Sequence, residues 1–368
     1  MNRDDEVNTE RSIDKILEKA IEMNVSDVHL TLNLRPVFRD DGELKQIDEF
    51  PVNTPESLAR FAKEVLTEEN FLKYEEERFM DSSMMHHKTR FRVHVYRQMS
   101  VDALALRLIP LEIPSFDQIS LPESVRGLTK LKNGLVLVTG VTGSGKSTTL
   151  ASLIHEINTT QSKHIVTIED PIEFVHKHSK SMVNQREVGT DVHNFPDAVK
   201  AAMREDPDIL LVGEMRDLET ISNAITMAES GHLVFGTLHT RSASESVDRI
   251  IDVFPPNQQE QIRMQLANAI GGIVSQSLLP KIGGGRVPCV EVMIPNDAIR
   301  HLIRKPSGPN AIIDQIQGSS RKTGSQTVIQ ALALLYIGGS ITKETAFYGL
   351  TDAEAEALIE MIRVTRRG

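Results

Sequence analysis

The residues best suited to phosphate chemistry lie in the middle of the sequence. Gly140-Val-Thr-Gly-Ser-Gly-Lys146-Ser147 has the spacing of a phosphate-binding loop. The loop follows an apolar run, Leu135–Val138, and precedes a helical pattern from about Ser147 to Ile157. Glycines let such a loop turn tightly and point successive backbone N–H groups at a phosphate, and the helix N-terminus adds its partial positive charge. The spacing and its context therefore predict a nucleotide site.

The side chains of this loop have distinct expected roles. Lys146 can neutralise charge on the β- and γ-phosphates, and the Ser147 hydroxyl can ligate Mg²⁺. ATP and Mg²⁺ are thus the expected ligand and cofactor. The predicted nucleotide-binding residues are Thr142, Gly143, Ser144, Gly145, Lys146, Ser147 and Thr148.

Hydrolysis also needs a carboxylate that orders or deprotonates the attacking water. We expect it at the end of a strand beside the phosphate strand. Two strand ends are candidates: Glu169, Asp170 and Glu173 follow the apolar run Ile165–Ile168, and Glu214 follows Ile209–Val212. Solvated loop charges are the alternative interpretation. Two acidic strand ends in one domain with a phosphate loop make that alternative less favoured.

Two histidines flank another apolar run. His232 and His239 lie seven residues apart, on either side of Leu233–Leu238. An odd separation along a strand places side chains on opposite faces, so we do not expect them to form one metal pair. A structural role for at least one histidine and γ-phosphate sensing from the next strand both remain open. Cys289 has no nearby histidine and is expected to be a small buried apolar residue.

The elements that would position these residues fall into two regions with different sequence patterns. After the proline-bearing stretch from Pro110 to Pro122, short apolar runs alternate with helical patterns, which predicts a doubly wound α/β sheet covered on both faces. Before it, an amphipathic helix ending near Asn24, a turn at Asp40-Asp41-Gly42, a helix over Glu56–Leu66 and an alternating strand over Phe91–Tyr96 indicate a mixed α+β domain.

Prolines from Pro110 to Pro122 mark the boundary between these two regions and predict a hinge. The expected division is an N-terminal domain over 1–112, a linker over 113–132, an ATPase domain over 133–297 and a C-terminal helical region over 298–368. A capping box, Thr351-Asp-Ala-Glu354, predicts the start of the last helix.

Composition limits the function classes. The 368 residues carry 41 basic and 51 acidic side chains, a formal net charge of −10, which argues against coating by nucleic acid. One cysteine excludes a disulfide framework and a multi-cysteine zinc cluster. No apolar run approaches the length of a membrane span, and the start lacks a signal-peptide core. We therefore expect a cytoplasmic protein without direct membrane insertion.

Four blocks of the sequence resemble, in the same order, motifs of the secretion-ATPase superfamily of type II secretion and type IV pili. Within it, the chain resembles the PilT-like pilus retraction ATPases. Ser26-Asp27-Val-His-Leu30 is similar to part of the N-terminal domain of that family. The four blocks are Thr142–Thr149 (Walker A), Thr167–Glu173 (Asp box), Arg204–Asp217 (Walker B) and Glu229–Thr240 (His box).

This resemblance implies a fold and a function. The fold is α/β, with a PAS-like α+β domain, then a RecA-like P-loop domain with a doubly wound parallel sheet, then a C-terminal helical tail. The implied function is ATP hydrolysis by a homo-hexamer that drives pilus retraction and twitching motility. The implied partner is a pilus platform protein of the inner membrane, which would hold the ring at the inner face of the membrane.

The resemblance also implies residue roles. Glu214 corresponds to the catalytic carboxylate, and Glu173 to the acid that assists with Mg²⁺ or water. His232 and His239 match the sensing histidines of the family. Arg92 and Arg107 match arginines that reach the nucleotide from the N-terminal domain.

The chain departs from the family at two places. A further family arginine is replaced by Ser100, with Arg97 three residues earlier. Ala298-Ile-Arg-His-Leu-Ile-Arg-Lys305 resembles the AIRNLIRE segment of the retraction branch, but lacks its final acid and is followed by Pro306-Ser-Gly-Pro309.

Three other functions remain open. Pilus assembly and type II secretion ATPases usually carry a longer N-terminal region and a four-cysteine zinc module, so a start close to the PAS-like domain and the single Cys289 favour retraction. A nucleic-acid translocase would bind its substrate through the basic clusters given at the end of this paragraph. Few aromatic side chains are available to stack on bases, however, since aromatic residues are 4% and tryptophan is absent. A non-hydrolysing ring subunit is the third. The basic clusters are Arg300, Arg304 and Lys305; Arg321 and Lys322; and Arg363, Arg366 and Arg367.

Overall fold

A computed structural model describes residues 12–40, 42–87, 89–109, 112–305 and 308–367. The chain divides into two compact units, Met1–Glu112 and Ile113–Gly368. Five residues of predicted features lie outside the described residues: Asp41 of the turn, Pro110 and Leu111 of the hinge, and Pro306 and Ser307 after the AIRNLIRE-like segment. Within the described ranges, no helix is long and apolar enough to cross a membrane.

The first unit contains an antiparallel sheet of six strands in the order β3-β2-β1-β6-β5-β4. Its helices cover a core that includes Leu17, Phe61, Tyr74 and Phe91. The mixed α+β character predicted from the sequence is confirmed. The elements are α1 (Asp14–Glu22), β1 (Asp27–Leu30), β2 (Val37–Asp40), β3 (Glu43–Gln46), α2 (Pro55–Val65), α3 (Glu68–Glu77), β4 (Phe79–His86), β5 (Thr89–Gln98) and β6 (Val101–Ile109).

Local sequence explains the elements of this unit. Thr54 and Ser57 form a reciprocal capping box at the start of α2, and Pro55 occupies the first turn, where its missing N–H costs no hydrogen bond. Along β5, Phe91 and Val93 are buried whereas Arg92 is partly exposed. This alternation places β5 with one face on the core.

The second unit contains a sheet of seven strands in the order β13-β12-β7-β11-β10-β8-β9. Its neighbouring strands are parallel, except that β13 runs antiparallel to β12. The elements are α4 (Glu123–Gly127), a short 3-10 helix (Leu128–Lys130), β7 (Gly134–Thr139), α5 (Lys146–Thr160), β8 (His164–Glu169), β9 (Met182–Glu187), α6 (Phe195–Ala202), β10 (Ile209–Val212), α7 (Leu218–Glu229), β11 (Leu233–Leu238), α8 (Ala243–Asp252), α9 (Pro256–Ala269), β12 (Ile270–Pro280), β13 (Arg286–Met293), α10 (Asp297–Arg304), α11 (Pro309–Thr323), α12 (Val328–Ile337), α13 (Lys343–Phe347) and α14 (Asp352–Arg367).

Both faces of this sheet are covered. Leu135 and Leu137 of β7 pack in a core with helices α6 to α9, whereas Val136 and Val138 pack on the other face with α5. Every residue of β7, β10 and β11 is buried, which explains why these strands appear as continuous apolar runs in the sequence. The predicted doubly wound α/β class is confirmed.

Segment 113–132, which the prolines led us to expect as a linker, packs as part of the second unit. Phe116, Val125 and Leu128 are buried in the same core as Val136 of β7. The guanidinium of Arg126 lies 4.5 Å from the ring centroid of Phe116. The apolar residues of this segment are spaced to cover the sheet, and their burial outweighs the disruptive effect of the prolines.

The C-terminal helices pack partly on β13. Cys289 of β13 is buried in a cluster with Leu332 of α12 and Leu358 of α14. Burial raises the pKa of its thiol to about 12, so Cys289 is a core residue and not a nucleophile. The predicted capping box is present: the Thr351 backbone N–H donates to the Glu354 carboxylate at 2.8 Å, and Glu354 N–H donates to the Thr351 hydroxyl at 3.4 Å.

Candidate active site

The phosphate loop connects β7 to α5, as the sequence predicts. Gly143 and Gly145 have φ angles of +79° and +89°, which favour glycine. At Gly145 a Cβ atom would also lie 2.7 Å from Nε2 of Gln276, so a side chain there would strain the backbone and displace the Gln276 amide. The loop thus keeps a backbone-lined concavity in front of the α5 N-terminus.

Lys146 is the first residue of α5 and turns back over this loop. Its ammonium donates to the carbonyl oxygens of Gly140 at 2.8 Å and Val141 at 3.1 Å. Burial lowers the pKa of Lys146, and the carboxylates of Glu214 and Glu173 act in the opposite direction. Both predicted acids therefore lie within electrostatic range of the lysine.

The strand order corrects one expectation about these acids. Neither acidic strand is directly beside the phosphate strand, because β11 lies between β7 and β10, and β8 lies beyond β10. Since these strands are all parallel, their carboxyl ends still share one edge. The strands β10 and β7 are two strand spacings apart, which is roughly 10 Å. Side chains and loops at the strand ends make this gap narrower.

Glu214 follows β10 through Gly213. The Gly213 N–H donates to the Ile168 carbonyl at 2.7 Å, and a Cβ atom on Gly213 would lie 3.1 Å from that oxygen. The missing side chain therefore lets the end of β10 approach the end of β8 closely. The Glu214 carboxylate accepts hydrogen bonds from Nε2 of His239, at 2.8 Å, and from Arg216. These contacts hold the carboxylate at the carboxyl edge of the sheet.

The two histidines lie at opposite ends of β11. His239 follows the carboxyl end and contacts Glu214, as described above. His232 precedes the amino end, where its Nδ1 lies 3.1 Å from the Met227 carbonyl and 3.0 Å from the Ser230 hydroxyl. Six strand residues, roughly 20 Å, separate them. Within one chain the structure brings His239 to the acids but not His232.

The segment after β8 separates its acids into different environments. Glu169 accepts hydrogen bonds from the Thr167 hydroxyl at 2.7 Å and the Gln185 amide at 3.1 Å, and burial raises its pKa. Buried Glu187 accepts from the Ile172 N–H at 3.0 Å and so fixes the loop. Glu173 is exposed at the end of that loop. Of the three acids at the end of β8 and after it, Asp170 and Glu173 are exposed, whereas Glu169 is held by the hydrogen bonds described above.

Arg92 and Arg107 are cross-strand neighbours on β5 and β6 of the first unit. Arg107 Nε donates to Asp27 Oδ1 at 2.8 Å, while Arg92 lies 3.8 Å from Asp81. Burial alone would raise the pKa of Asp27, but hydrogen bonds from Arg107 and Ser26 outweigh it and lower the pKa.

Arg97, three residues before the family arginine position occupied by Ser100, makes contacts within the first unit. Its Nε donates to Asp102 at 3.1 Å, and its guanidinium lies 5.6 Å from the Tyr74 ring centroid. The Tyr74 hydroxyl donates to the same carboxylate at 2.5 Å. Arg97 is therefore part of a local network in this structure.

The AIRNLIRE-like segment forms α10, and its arginines contact α9. Arg300 donates to the carbonyl oxygens of Ala267 and Asn268, and Arg304 donates to the Asn268 side chain at 2.9 Å. These carbonyls belong to the last turn of α9, where a cation is favourable. Arg300 is therefore partly buried against α9, whereas Arg304 stays exposed while it contacts Asn268.

Gln276 is a residue near the loop that sequence reasoning missed. Gln276 lies on β12, and its side-chain amide contacts both Thr149 and Ser144. The available signal was a polar Ser-Gln-Ser triplet inside the otherwise apolar stretch Ile273–Leu279. The strand itself was not predicted, so the triplet had no assigned position.

The residues at this edge fit ATP with Mg²⁺. A glycine-rich backbone and an ammonium suit phosphate oxygens, the Ser147 hydroxyl suits a hard cation, and carboxylates suit water or that cation. The donor set is oxygen and nitrogen of the types that a magnesium nucleotide requires.

Comparison with known proteins decides the family. The family model described as type II/IV secretion system protein matches residues 2–284. The chain belongs to the type II/IV secretion system protein family. This range includes the phosphate loop, both acids and both histidines.

Members of the type II/IV secretion system family with curated names are similar over most of the chain. The type IV pilus retraction ATPase PilT of Pseudomonas aeruginosa is 42% identical over 337 residues, covering 91% of this chain and 96% of that protein. A twitching motility protein of Neisseria gonorrhoeae is 42% identical over 84% of this chain and 83% of its own length. A crystal structure of the pilus retraction motor PilT with bound ADP aligns with a TM-score of 0.86 at 50% identity, covering 93% of this chain and 98% of that one. The resemblance predicted from the sequence is confirmed.

Proposed function

We propose that this chain is an ATPase motor that drives type IV pilus retraction and twitching motility. The observation that carries the proposal is the meeting of the Lys146 loop, Glu214 and His239 at one edge of the sheet. Relatives named as retraction proteins, similar over nearly the whole chain, support the direction of movement.

Binding comes first in the proposed mechanism. The N–H groups of the loop and of the first turn of α5 face the phosphates, and Lys146 neutralises their charge. In the structure Lys146 contacts two loop carbonyls, so binding exchanges these neutral acceptors for charged phosphate oxygens. A hydrogen bond from the ammonium to an anionic phosphate oxygen is stronger than one to a neutral carbonyl, and the exchange therefore favours binding.

Glu214 acts next, on the attacking water. Its carboxylate orients that water and accepts its proton as the water oxygen bonds to the γ-phosphorus; the bond from that phosphorus to the bridging oxygen breaks, and ADP is the leaving group. His239 donates to Glu214 and keeps one carboxylate oxygen oriented. Ser147 and Glu173 are the residues proposed to hold Mg²⁺, directly or through water. Bound Mg²⁺ would supply charge neutralisation at the β- and γ-phosphate oxygens.

Assembly completes the motor. We infer a homo-hexamer in which Arg92 and Arg107 reach nucleotide and in which the angle between N-terminal and ATPase domains changes during the cycle. Arginine suits this task because its planar guanidinium pairs with phosphate oxygens in a bidentate manner. His232 would act at a contact between subunits rather than beside Glu214 of its own chain. A platform protein of the inner membrane is the proposed partner, with the ring at the cytoplasmic side.

Deletion of the gene, followed by microscopy of surface pili and a twitching assay, tests the proposal. Hyperpiliated, non-twitching cells are expected, because pili would extend but not be withdrawn. Wild-type complementation should restore twitching, whereas complementation with Lys146→Ala at equal abundance should not. Bald cells would overturn retraction in favour of assembly.

A nucleic-acid translocase is the competing function of another class. Arg300 and Arg304, two members of the clusters that suggested it, are engaged by α9. Single-stranded DNA is therefore expected to leave ATP turnover unchanged. Stimulation of several-fold would favour the translocase.

A further inference from the structure

The phosphate loop touches a side chain from outside the loop and its helix. Gln276 lies on β12, which pairs with β7 on the side opposite β11. Its side chain is only 6% exposed. A buried amide costs free energy unless both of its ends are hydrogen-bonded, so its partners show what its position is built for.

Both ends of the Gln276 amide are used on the nucleotide loop and the helix after it. Oε1 accepts from the Thr149 hydroxyl at 2.7 Å, and Nε2 donates to the Ser144 carbonyl at 2.8 Å. Thr149 is itself buried in the first turn of α5. One side chain thus joins the tip of the loop to the start of the helix.

The fit around Gln276 is tight. A Cβ atom on Gly145 would lie 2.7 Å from Nε2 of Gln276, so the amide packs directly against the loop backbone between Ser144 and Lys146. The loop cannot move toward β12 without displacing Gln276. It cannot move away without losing the Ser144 hydrogen bond.

The geometry points to Gln276 as a positioning residue that fixes the phosphate loop in its nucleotide-binding conformation. The inference rests on the proposed function of that loop as the ATP site. Gln276 acts through Ser144 and Thr149 and needs no contact with nucleotide. Because ADP and ATP use the same loop N–H groups, misplacement of the loop weakens binding of both, with a smaller effect on the chemical step.

Gln276→Leu is the main test, since it keeps the approximate size and removes both hydrogen bonds. In the full-length protein we expect the Kd of a fluorescent N-methylanthraniloyl-ADP and the KM for ATP to rise about tenfold, which is about 1.4 kcal/mol, with kcat within about threefold. Thr149→Val removes only the bond to Oε1 and should give a smaller rise in Kd and KM of about threefold. In the double variant, the rise in Kd and KM should be smaller than the product of the two single effects. The reason is that both substitutions remove the same hydrogen bond between Thr149 and Gln276.

Ser275→Ala is the matched control. The Ser275 hydroxyl accepts a hydrogen bond from the Thr139 hydroxyl at 2.9 Å, which joins β12 to β7. Ser275 is buried like Gln276, but its hydrogen bond does not involve the loop. A Kd within twofold of wild type is expected for this variant, even where the melting temperature falls as far as in Gln276→Leu. If Ser275→Ala weakens binding as much as Gln276→Leu, general loosening of the sheet explains the effect and the inference is overturned.

Other outcomes separate this inference from the proposed function. Wild-type protein that binds no nucleotide would overturn the proposed function. If wild type binds and Lys146→Ala does not, but Gln276→Leu binds normally, only the positioning role is wrong. Should Gln276→Leu fail to fold, Thr149→Val decides: an unchanged Kd and KM overturn the role.

Discussion

Nε2 of His239 lies 2.8 Å from Oε1 of Glu214, although 25 positions separate the two residues in the chain. Glu214 follows β10 and His239 follows β11, and these neighbouring strands are parallel. The pairing thus results from two strands ending at one edge. It gives the proposed water-orienting carboxylate a fixed donor.

Glu214→Gln should abolish turnover while nucleotide binding is kept. The amide resembles the carboxylate in shape but cannot accept a proton, so kcat is expected to fall by ~10²–10⁴-fold. Binding of the fluorescent ADP analogue should stay within about threefold. An unaltered turnover rate would remove Glu214 from this role.

His239→Ala should lower kcat by about tenfold to a hundredfold, since the Glu214 carboxylate loses an orienting donor. In a Glu214→Gln background the same substitution should have little further effect, because the group that it orients no longer acts. A double-mutant cycle of kcat values measures this coupling. Fully additive effects would contradict the proposed link between the two side chains.

Lys146→Ala should weaken nucleotide binding by ~10²-fold or more and abolish turnover, since phosphate charge would be left without its ammonium partner. Lys132→Ala removes an exposed lysine of the same unit and serves as the control. Equilibrium titration with the ADP analogue measures both. Normal ATP hydrolysis by Lys146→Ala would contradict the site assignment.

Cys289 should resist thiol reagents in the folded protein. It is 3% exposed, and burial raises its pKa to about 12, so roughly one thiol in ten thousand is ionised at pH 8. Reaction with a chromogenic disulfide reagent should be slow in buffer and fast in guanidinium chloride. Met99→Cys, at a 96% exposed position, provides a rapidly labelled control. Rapid stoichiometric labelling of native wild type would contradict the burial.

His176 should make the fold less stable in mild acid. Burial, and to a lesser extent His155, lower its pKa to about 4 from an ordinary value near 6.5. Below pH 6.5 the His176 imidazole is protonated in the unfolded chain, whereas in the folded chain it becomes protonated only near pH 4. The contribution of His176 is therefore complete above pH 6.5 and is lost as the pH falls toward 4.

Denaturant unfolding at pH 7.5 and pH 5.0 measures this effect. Between these values His176 should account for about 2 kcal/mol of the loss in free energy of unfolding. Over the same pH change, the free energy of unfolding of His176→Gln should fall by that much less than the free energy of unfolding of wild type. The difference between the two proteins cancels the effect of groups that titrate in both, and an identical pH dependence would rule out a neutral, partly buried histidine.

The sequence determined the parts of the fold that depend on local patterns. Leu135–Val138 and Ile209–Val212 are apolar on both faces because both faces of their strands are covered, so the runs identify buried parallel strands. The phosphate loop was predictable because its glycines and Lys146 must occupy fixed spacings next to one strand and one helix. The Thr351 cap was predictable for the same local reason.

Only the tertiary structure decided which distant residues meet. Strand order is a property of pairing between segments, so the sequence did not reveal that β11 separates the Glu214 strand from the phosphate strand. Nor did it indicate that His239 contacts Glu214 whereas His232 does not, or that segment 113–132 covers the sheet. Gln276 is the clearest case, because a buried amide acquires its partners only when β12 pairs beside β7. Spacing along the chain determines the chemistry of a loop, whereas the packing of separate strands determines what holds it in place.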